Sequence, residues 1–379
     1  MAQYVVVAPD KFKGSVSALQ AAAAIIRGIV RRDPSIRTVE CPVADGGEGT
    51  LAAALSAGYD RIPVVAPGPT GLSIDTSYAR NGELAVVEMA DVAGLARLPA
   101  GVSRPMTASS RGLGTVVSRA LDDGCRRIVV GIGGSASTDG GAGFLQGLGA
   151  ELRGAGGRLL SDGGGSLGRA SSLDLSKLHP GLGDAEIVIA SDVDNPLCGP
   201  YGAASVYGPQ KGASPIEVRT LDSALGRWAD LVADTTGRDL RSAHGAGAAG
   251  GVGFAAIAVL GAQSRPGIDL VMDLVGIDEH LDQATAVITG EGSLDGQSLN
   301  GKAPVGVCLR ASRRNIPTHA IVGVSRLSPQ EMRGSGFASI YALADREPDA
   351  RRSMAHAADL IASVAEDLAT EQLVAPLRS

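Results

Sequence analysis

A chain of 379 residues, 44% hydrophobic and 20% charged, reads as one or two folded domains and not as a disordered or fibrous protein. A net charge of −6 with no basic stripe excludes a nucleic-acid footprint, and no apolar run reaches the length of a membrane span, so neither partner is expected. Four scattered cysteines without a CxxC pair argue against a disulfide framework or zinc site, and the first apolar run is too short for a signal peptide, so a cytoplasmic, soluble protein is expected.

Residues 4–8 form a short β-branched run that predicts a buried parallel strand. Ser17 then caps an Ala-rich helix to about residue 31, and a second strand is predicted over 39–43, followed by a helix over 49–57. This βαβα order implies a parallel sheet with its loops at the carboxyl ends of the strands. The pattern changes at residue 61. Three short strands (61–66, 74–79, 84–89) are divided by Pro-Gly and Asn81-Gly82 turns, which signals an antiparallel meander.

A helix over 116–122 and a strand over 127–132 follow; 153–183 reads as loops, 187–190 as a strand and 216–236 as a helix. Alternation returns with strands at 286–289, 319–324 and 339–343 and helices at 303–314, 328–333 and 349–370. With aromatics at only 3%, the core must be Ala, Val, Leu and Ile, which suits α/β layers. The simplest architecture joins 1–60 and 280–379 in one doubly wound parallel sheet and inserts 61–279 as a second, mixed α/β domain. The active site would lie in the interdomain cleft.

Five segments gather acidic residues, glycines and hydroxyls. The first is Asp10-Lys11-Phe12-Lys13-Gly14 after the first strand, with Asp10 a base or metal ligand and the lysines phosphate contacts. In Asp45-Gly46-Gly47-Glu48, backbone N–H groups can face an anion while a carboxylate faces a metal or hydroxyl. Residues 131–141 hold five glycines among eleven residues, including Gly133 and Gly134, with Ser135, Ser137, Thr138 and Asp139, a turn suited to a phosphate. Asp192-Val193-Asp194-Asn195 sets two carboxylates and an amide on one turn, which suits Mg²⁺, with Lys211 close behind.

The fifth, Gly290-Glu291-Gly292-Ser293-Leu294-Asp295, leads into residues 296–303. That stretch nearly matches a Walker A loop but ends on Lys302-Ala303, where Ser or Thr should stand.

The lysines sharpen the reading. Only Lys11, Lys13, Lys177, Lys211 and Lys302 occur among 34 basic residues, and all but Lys177 sit in or beside these segments. Lysine is a compact point charge that suits a phosphate oxygen. The residues alone therefore indicate a Mg²⁺-dependent phosphotransferase. A nicotinamide dehydrogenase would need a complete GxGxxG with an acid about 20 residues on. A non-catalytic anion binder would not need so many carboxylates.

Segments 7–15, 43–50, 131–141, 191–200, 207–213, 245–254 and 289–302, in order along almost the whole chain, resemble the bacterial glycerate kinase type-1 family. The resemblance implies phosphorylation of D-glycerate with ATP and Mg²⁺, with 2-phosphoglycerate favoured over 3-phosphoglycerate. It also implies a flavodoxin-like domain paired with a restriction-endonuclease-like one, in a monomer or homodimer. Within that frame Asp192, Lys11 and Asp45 are the catalytic candidates. Asp10, Lys13, Gly46, Gly47, Gly133, Gly134, Ser135, Ser137, Thr138, Asn195, Lys211, Glu291 and Lys302 are the substrate- or phosphate-binding candidates. Asp194, Asp139 and Asp295 are the metal candidates.

Overall fold

The structure, a computed structural model, describes residues 3–296 and 298–374. In chain order the strands are β1 (Tyr4–Val7), β2 (Arg37–Glu40), β3 (Asp60–Pro67), β4 (Ser73–Asn81), β5 (Leu84–Glu88), β6 (Arg127–Gly131), β7 (Glu151–Gly154), β8 (Ala170–Asp174), β9 (Glu186–Ala190), β10 (Gln263–Arg265), β11 (Ala286–Leu294), β12 (Thr318–Ser325) and β13 (Ser339–Ala342). They form mixed α/β architecture in two compact units. One holds the chain to Asp45, Ala52–Gly58 and the chain from Ile268; the other holds Gly46–Leu51 and Tyr59–Gly267. Among the described residues, no helix is long and apolar enough to cross a membrane.

The first unit is built on a five-stranded sheet of order β13-β12-β11-β1-β2, parallel at every pairing. Both faces are covered, so the interior strand β1 is a continuous apolar run. Val5 and Val7 join a core with Ile25, Ile288 and Ile361, while Val6 and Ala8 face the opposite core with Val43, Val287 and Val307. The helix Ala18–Arg32 starts at a capping box, in which Ser17 and Gln20 satisfy each other's backbone N–H groups. It packs on the helix Ala357–Leu368 at Gly28, where a Cβ would lie 2.2 Å from the Ala362 carbonyl oxygen.

Within this sheet the chain starts at β1, moves out to β2, then returns to the other side of β1 as β11. The order reverses between β1 and β11, and such a switch point opens a ligand crevice at the carboxyl ends of the strands.

The second unit carries a six-stranded sheet of order β10-β9-β6-β5-β4-β3. The β3–β4–β5 meander is antiparallel, and the remaining pairings are parallel. The helix Pro215–Thr236 begins at a Ser214/Glu217 capping box and ends at Gly237, whose φ of 73° needs no Cβ. Its buried Trp228 donates from Nε1 to the Gly140 carbonyl at 2.9 Å.

Three sequence expectations need correction. Residues 153–183 contain the antiparallel pair β7–β8 as well as loops. The helix expected over 349–370 is two, Ala350–Ala355 and Ala357–Leu368, broken at His356. The strand expected over 286–289 runs on to Leu294, so Glu291 lies inside a strand.

Candidate active site

Three carboxylates meet at the switch point because three adjacent strands deliver them. Backbone pairing continues past β1: the Asp10 N–H donates to the Gly290 carbonyl at 2.8 Å, which sets Asp10 beside Glu291. On the other side, the Val43 N–H donates to the Pro9 carbonyl at 3.0 Å, and Asp45 follows two residues on. Gly290 is required here, since a Cβ would lie 2.1 Å from the Ile321 carbonyl oxygen of β12.

These residues line a cavity of about 600 Å³ within the first unit. Lys11, Lys13, Lys302 and Arg326 line it as well. Asp10 is 7% exposed, and burial pushes its carboxyl up to about 7 against the opposing pull of Lys11, with Asp45 pushing further upward. The Lys11 Nζ lies 3.6 Å from Asp10 Oδ1, and the Lys11 backbone N–H donates to the same oxygen at 2.6 Å. Burial also raises the Glu291 carboxyl, while Ser298 and Lys302 pull it down. Its Oε1 is buried and has no hydrogen-bond partner.

Asp295 Oδ1 accepts from the Ser298 N–H at 3.1 Å, a local turn that leads to Lys302 at the start of the helix Ala303–Ser312. Gln297, inside the Walker-like stretch, lies outside the described residues.

The second unit gathers another set of the sequence candidates. A Cβ on Gly133 would lie 2.6 Å from Gly47 Cα, and one on Gly46 would lie 2.8 Å from Ala190 Cβ. These glycines let the segments around 46, 133 and 190 pack backbone to backbone. Gly134 has φ of 73°, a conformation that favours glycine.

Lys211 is 3% exposed and donates to Ser135 Oγ at 2.8 Å and to the Ser137 carbonyl at 2.5 Å. Burial lowers its ammonium to about 7, with Asp139 opposing. The Ser137 and Thr138 hydroxyls are buried without partners.

Asp139 is buried, which raises its carboxyl, and its oxygens accept from the Ser110 N–H, the Ser110 hydroxyl and the Gly141 N–H. This carboxylate ties its turn to Ser110, 29 positions earlier in the chain. Asn195 is also committed, accepting from the Tyr207 hydroxyl at 2.6 Å and donating to the Tyr201 carbonyl at 2.9 Å. Asp192 is exposed and accepts from the Gly267 N–H at 2.7 Å. Asp194 is 85% exposed and lies 3.7 Å from His244 Nδ1. Among the described residues, no three His, Cys, Asp or Glu side chains form a ready metal cage.

Sequence reasoning missed Glu88 and Arg326. Glu88 is buried at the end of β5, accepts from the Gly49 and Leu51 N–H groups at 3.2 and 2.8 Å, and is pushed up to about 7 by burial. An acid closing the apolar run 84–87 was its only signal. Arg326 carried none, because it follows β12 and is placed by its N–H donating to the Leu294 carbonyl at 2.8 Å, a long-range pairing.

Comparison with known proteins agrees with this geometry. Residues 5–372 match the Glycerate kinase family. The chain is 43% identical over 323 residues to the glycerate 2-kinase of Escherichia coli strain K12, covering 84% of each chain. It is 38% identical over 368 residues to the glycerate kinase of Bacillus subtilis strain 168, covering 96% of each. A crystal structure from Salmonella typhimurium LT2, provisionally named glycerate kinase 2, superposes with a TM-score of 0.84 at 39% identity and 98% coverage of both chains. A carboxylate-and-lysine crevice at a switch point, in a chain related to these proteins over nearly its full length, marks a kinase that belongs to the glycerate kinase family.

Proposed function

We propose that the protein transfers the γ-phosphoryl group of ATP to a hydroxyl of D-glycerate in a Mg²⁺-dependent reaction, with 2-phosphoglycerate favoured over 3-phosphoglycerate. The observation that carries this reading is the meeting of Asp10, Asp45 and Glu291 with Lys11, Lys13 and Lys302 around one cavity. The family relationship supplies the acceptor.

Asp10 takes the proton from the attacking hydroxyl. Its carboxyl titrates near 7, so the basic form is present at neutral pH and still binds a proton well. Lys11, Lys13 and Lys302 oppose the charge on the phosphoryl oxygens as the bond to the leaving oxygen breaks. The residues fit a Mg²⁺ ion, which usually takes one or two carboxylates and completes its shell with phosphate oxygens and water. Glu291, with its unpartnered Oε1, and Asp45 would hold it. When bound, the ion neutralises charge on the β- and γ-phosphates.

Asp192, in the second unit, is the residue assigned to alignment of the acceptor hydroxyl, an assignment that rests on the family resemblance. Asp139 ties its turn to Ser110, Lys211 holds the Ser135–Ser137 segment, Asn195 joins its turn to Tyr201 and Tyr207, and Asp295 supports its own turn. The flavodoxin-like reading of the first unit rests on its strand order, which numbers 2-1-3-4-5 within the sheet. The restriction-endonuclease-like reading of the second rests on the family resemblance.

The test is ADP release from ATP with and without D-glycerate and Mg²⁺, with the product's phosphate position read by NMR. Glycerate-stimulated turnover that vanishes on chelation is expected. Turnover indifferent to glycerate contradicts the proposal.

A further inference from the structure

The cavity of the first unit has a lining of two chemical kinds. One set is the carboxylates, the lysines and Arg326. The other is apolar: Val324, Leu343, Ala344, Pro348, Met354 and Ala357. Leu343 and Ala357 are buried, but Met354 is 47% exposed, so a large flexible apolar side chain stands at the rim instead of in the core. Methionine in that position adapts to an apolar ligand face. Two polar groups edge the slot: Ser353, which is buried, and Glu347, whose Oε1 accepts from the Asp349 N–H at 3.0 Å.

The two sets are tied together. The Ser15 hydroxyl donates to the Met354 carbonyl at 2.8 Å, and a Cβ on Gly14 would lie 3.0 Å from Met354 Cε. The loop that carries Lys11 and Lys13 is therefore fixed against the segment that carries Met354.

Glycerate is small and polar throughout and has nothing to bury in an apolar slot. A nucleoside triphosphate has one planar, weakly polar end and one anionic end. Its size suits a cavity of about 600 Å³, within the range of small-molecule sites. We propose that the nucleotide lies in the first unit, with its base in the Val324–Leu343–Ala344–Met354 slot and its triphosphate running to Lys11, Lys13, Lys302 and Arg326. This rests on the kinase reading above and adds the residues that hold the nucleoside.

The test is steady-state kinetics with ATP and D-glycerate varied in turn, on the wild type, Met354→Glu and Ala344→Phe. Met332→Glu, an exposed methionine outside the cavity, is the control. Both slot variants should raise the KM for ATP about tenfold or more while the KM for D-glycerate and the melting temperature stay near wild type. An unchanged ATP KM in Met354→Glu, or an equal rise in both KM values, overturns the slot. If Ala344→Phe does not fold, Met354→Glu decides, because that side chain stands at the surface.

Wild-type protein without glycerate-stimulated turnover contradicts the kinase reading instead. Calorimetric titration with ADP then decides the slot on its own. Binding weakened by Met354→Glu supports it, and no binding, or binding unaffected by that change, overturns it.

Discussion

The Asp10 backbone N–H donates to the Gly290 carbonyl at 2.8 Å, joining two segments 280 positions apart. That hydrogen bond carries the β1–β11 pairing past the end of β1 and brings the Asp10 carboxyl next to Glu291. Glu291 then adds to burial and Asp45 in raising the affinity of Asp10 for a proton.

Asp10 and Glu88 make stability depend on pH with a defined sign. Burial raises Asp10 from 3.8 to about 7 and Glu88 from 4.5 to about 7. Their folded values exceed their unfolded ones, so their contribution is complete below about pH 4 and is lost as pH rises towards 7. Asp10→Asn removes the Asp10 share. In ligand-free protein at pH 8 this variant should be more stable than wild type, by on the order of 2–4 kcal/mol in chemical denaturation. Equal or lower stability at pH 8 contradicts the burial argument.

The lysines should separate by role. Lys11→Ala and Lys302→Ala should lower kcat on the order of 10²–10³ with little change in melting temperature, as for loss of a contact to transition-state charge. Lys211→Met should instead cost roughly 1–3 kcal/mol of stability, because the Ser137 carbonyl loses its buried donor. Lys177 is 60% exposed and pairs with Glu151 at the surface, so Lys177→Ala should change neither. A stable, inactive Lys211→Met would return that residue to the phosphate site.

Gly133→Ala tests the glycine packing in the second unit. Its new Cβ would meet Gly47 Cα at 2.6 Å, backbone that has no rotamer to yield. A loss of about 1–3 kcal/mol is expected on thermal unfolding. A neutral effect would mean that the Asp45–Glu48 turn gives way more readily than its contacts indicate.

Asp192→Asn distinguishes alignment from support. Asparagine keeps an oxygen for the Gly267 N–H but loses the charge. The proposal expects turnover to fall at least tenfold with the melting temperature unchanged. Full turnover would remove Asp192 from the reaction.

Local patterns were readable in the sequence, and long-range pairing was not. The Asn81-Gly82 turn announced the hairpin of β4 and β5, and Ser17 announced its helix. Gly290-Glu291-Gly292 looked like a loop because glycine usually ends a strand. Here Gly290 is present because β12 lies too close for a Cβ, so the strand runs on. The helix Val252–Leu260 was missed for a similar reason: it is apolar on nearly all sides and shows no amphipathic period. The hydrogen bonds that Ser110 gives Asp139 were not legible, because tertiary folding brings Ser110 to it across 29 positions. The apolar lining of the cavity was invisible, since Val324, Leu343 and Met354 belong to three separate elements.

The most direct test of the central claim compares glycerate-stimulated ADP release by wild type, Asp10→Asn and Glu291→Gln at saturating ATP, Mg²⁺ and D-glycerate, with unfolding followed in parallel. The wild type should turn over in the presence of D-glycerate, and both variants should fall at least a hundredfold while remaining folded. Wild-type rates in both variants would place the chemistry elsewhere in the protein.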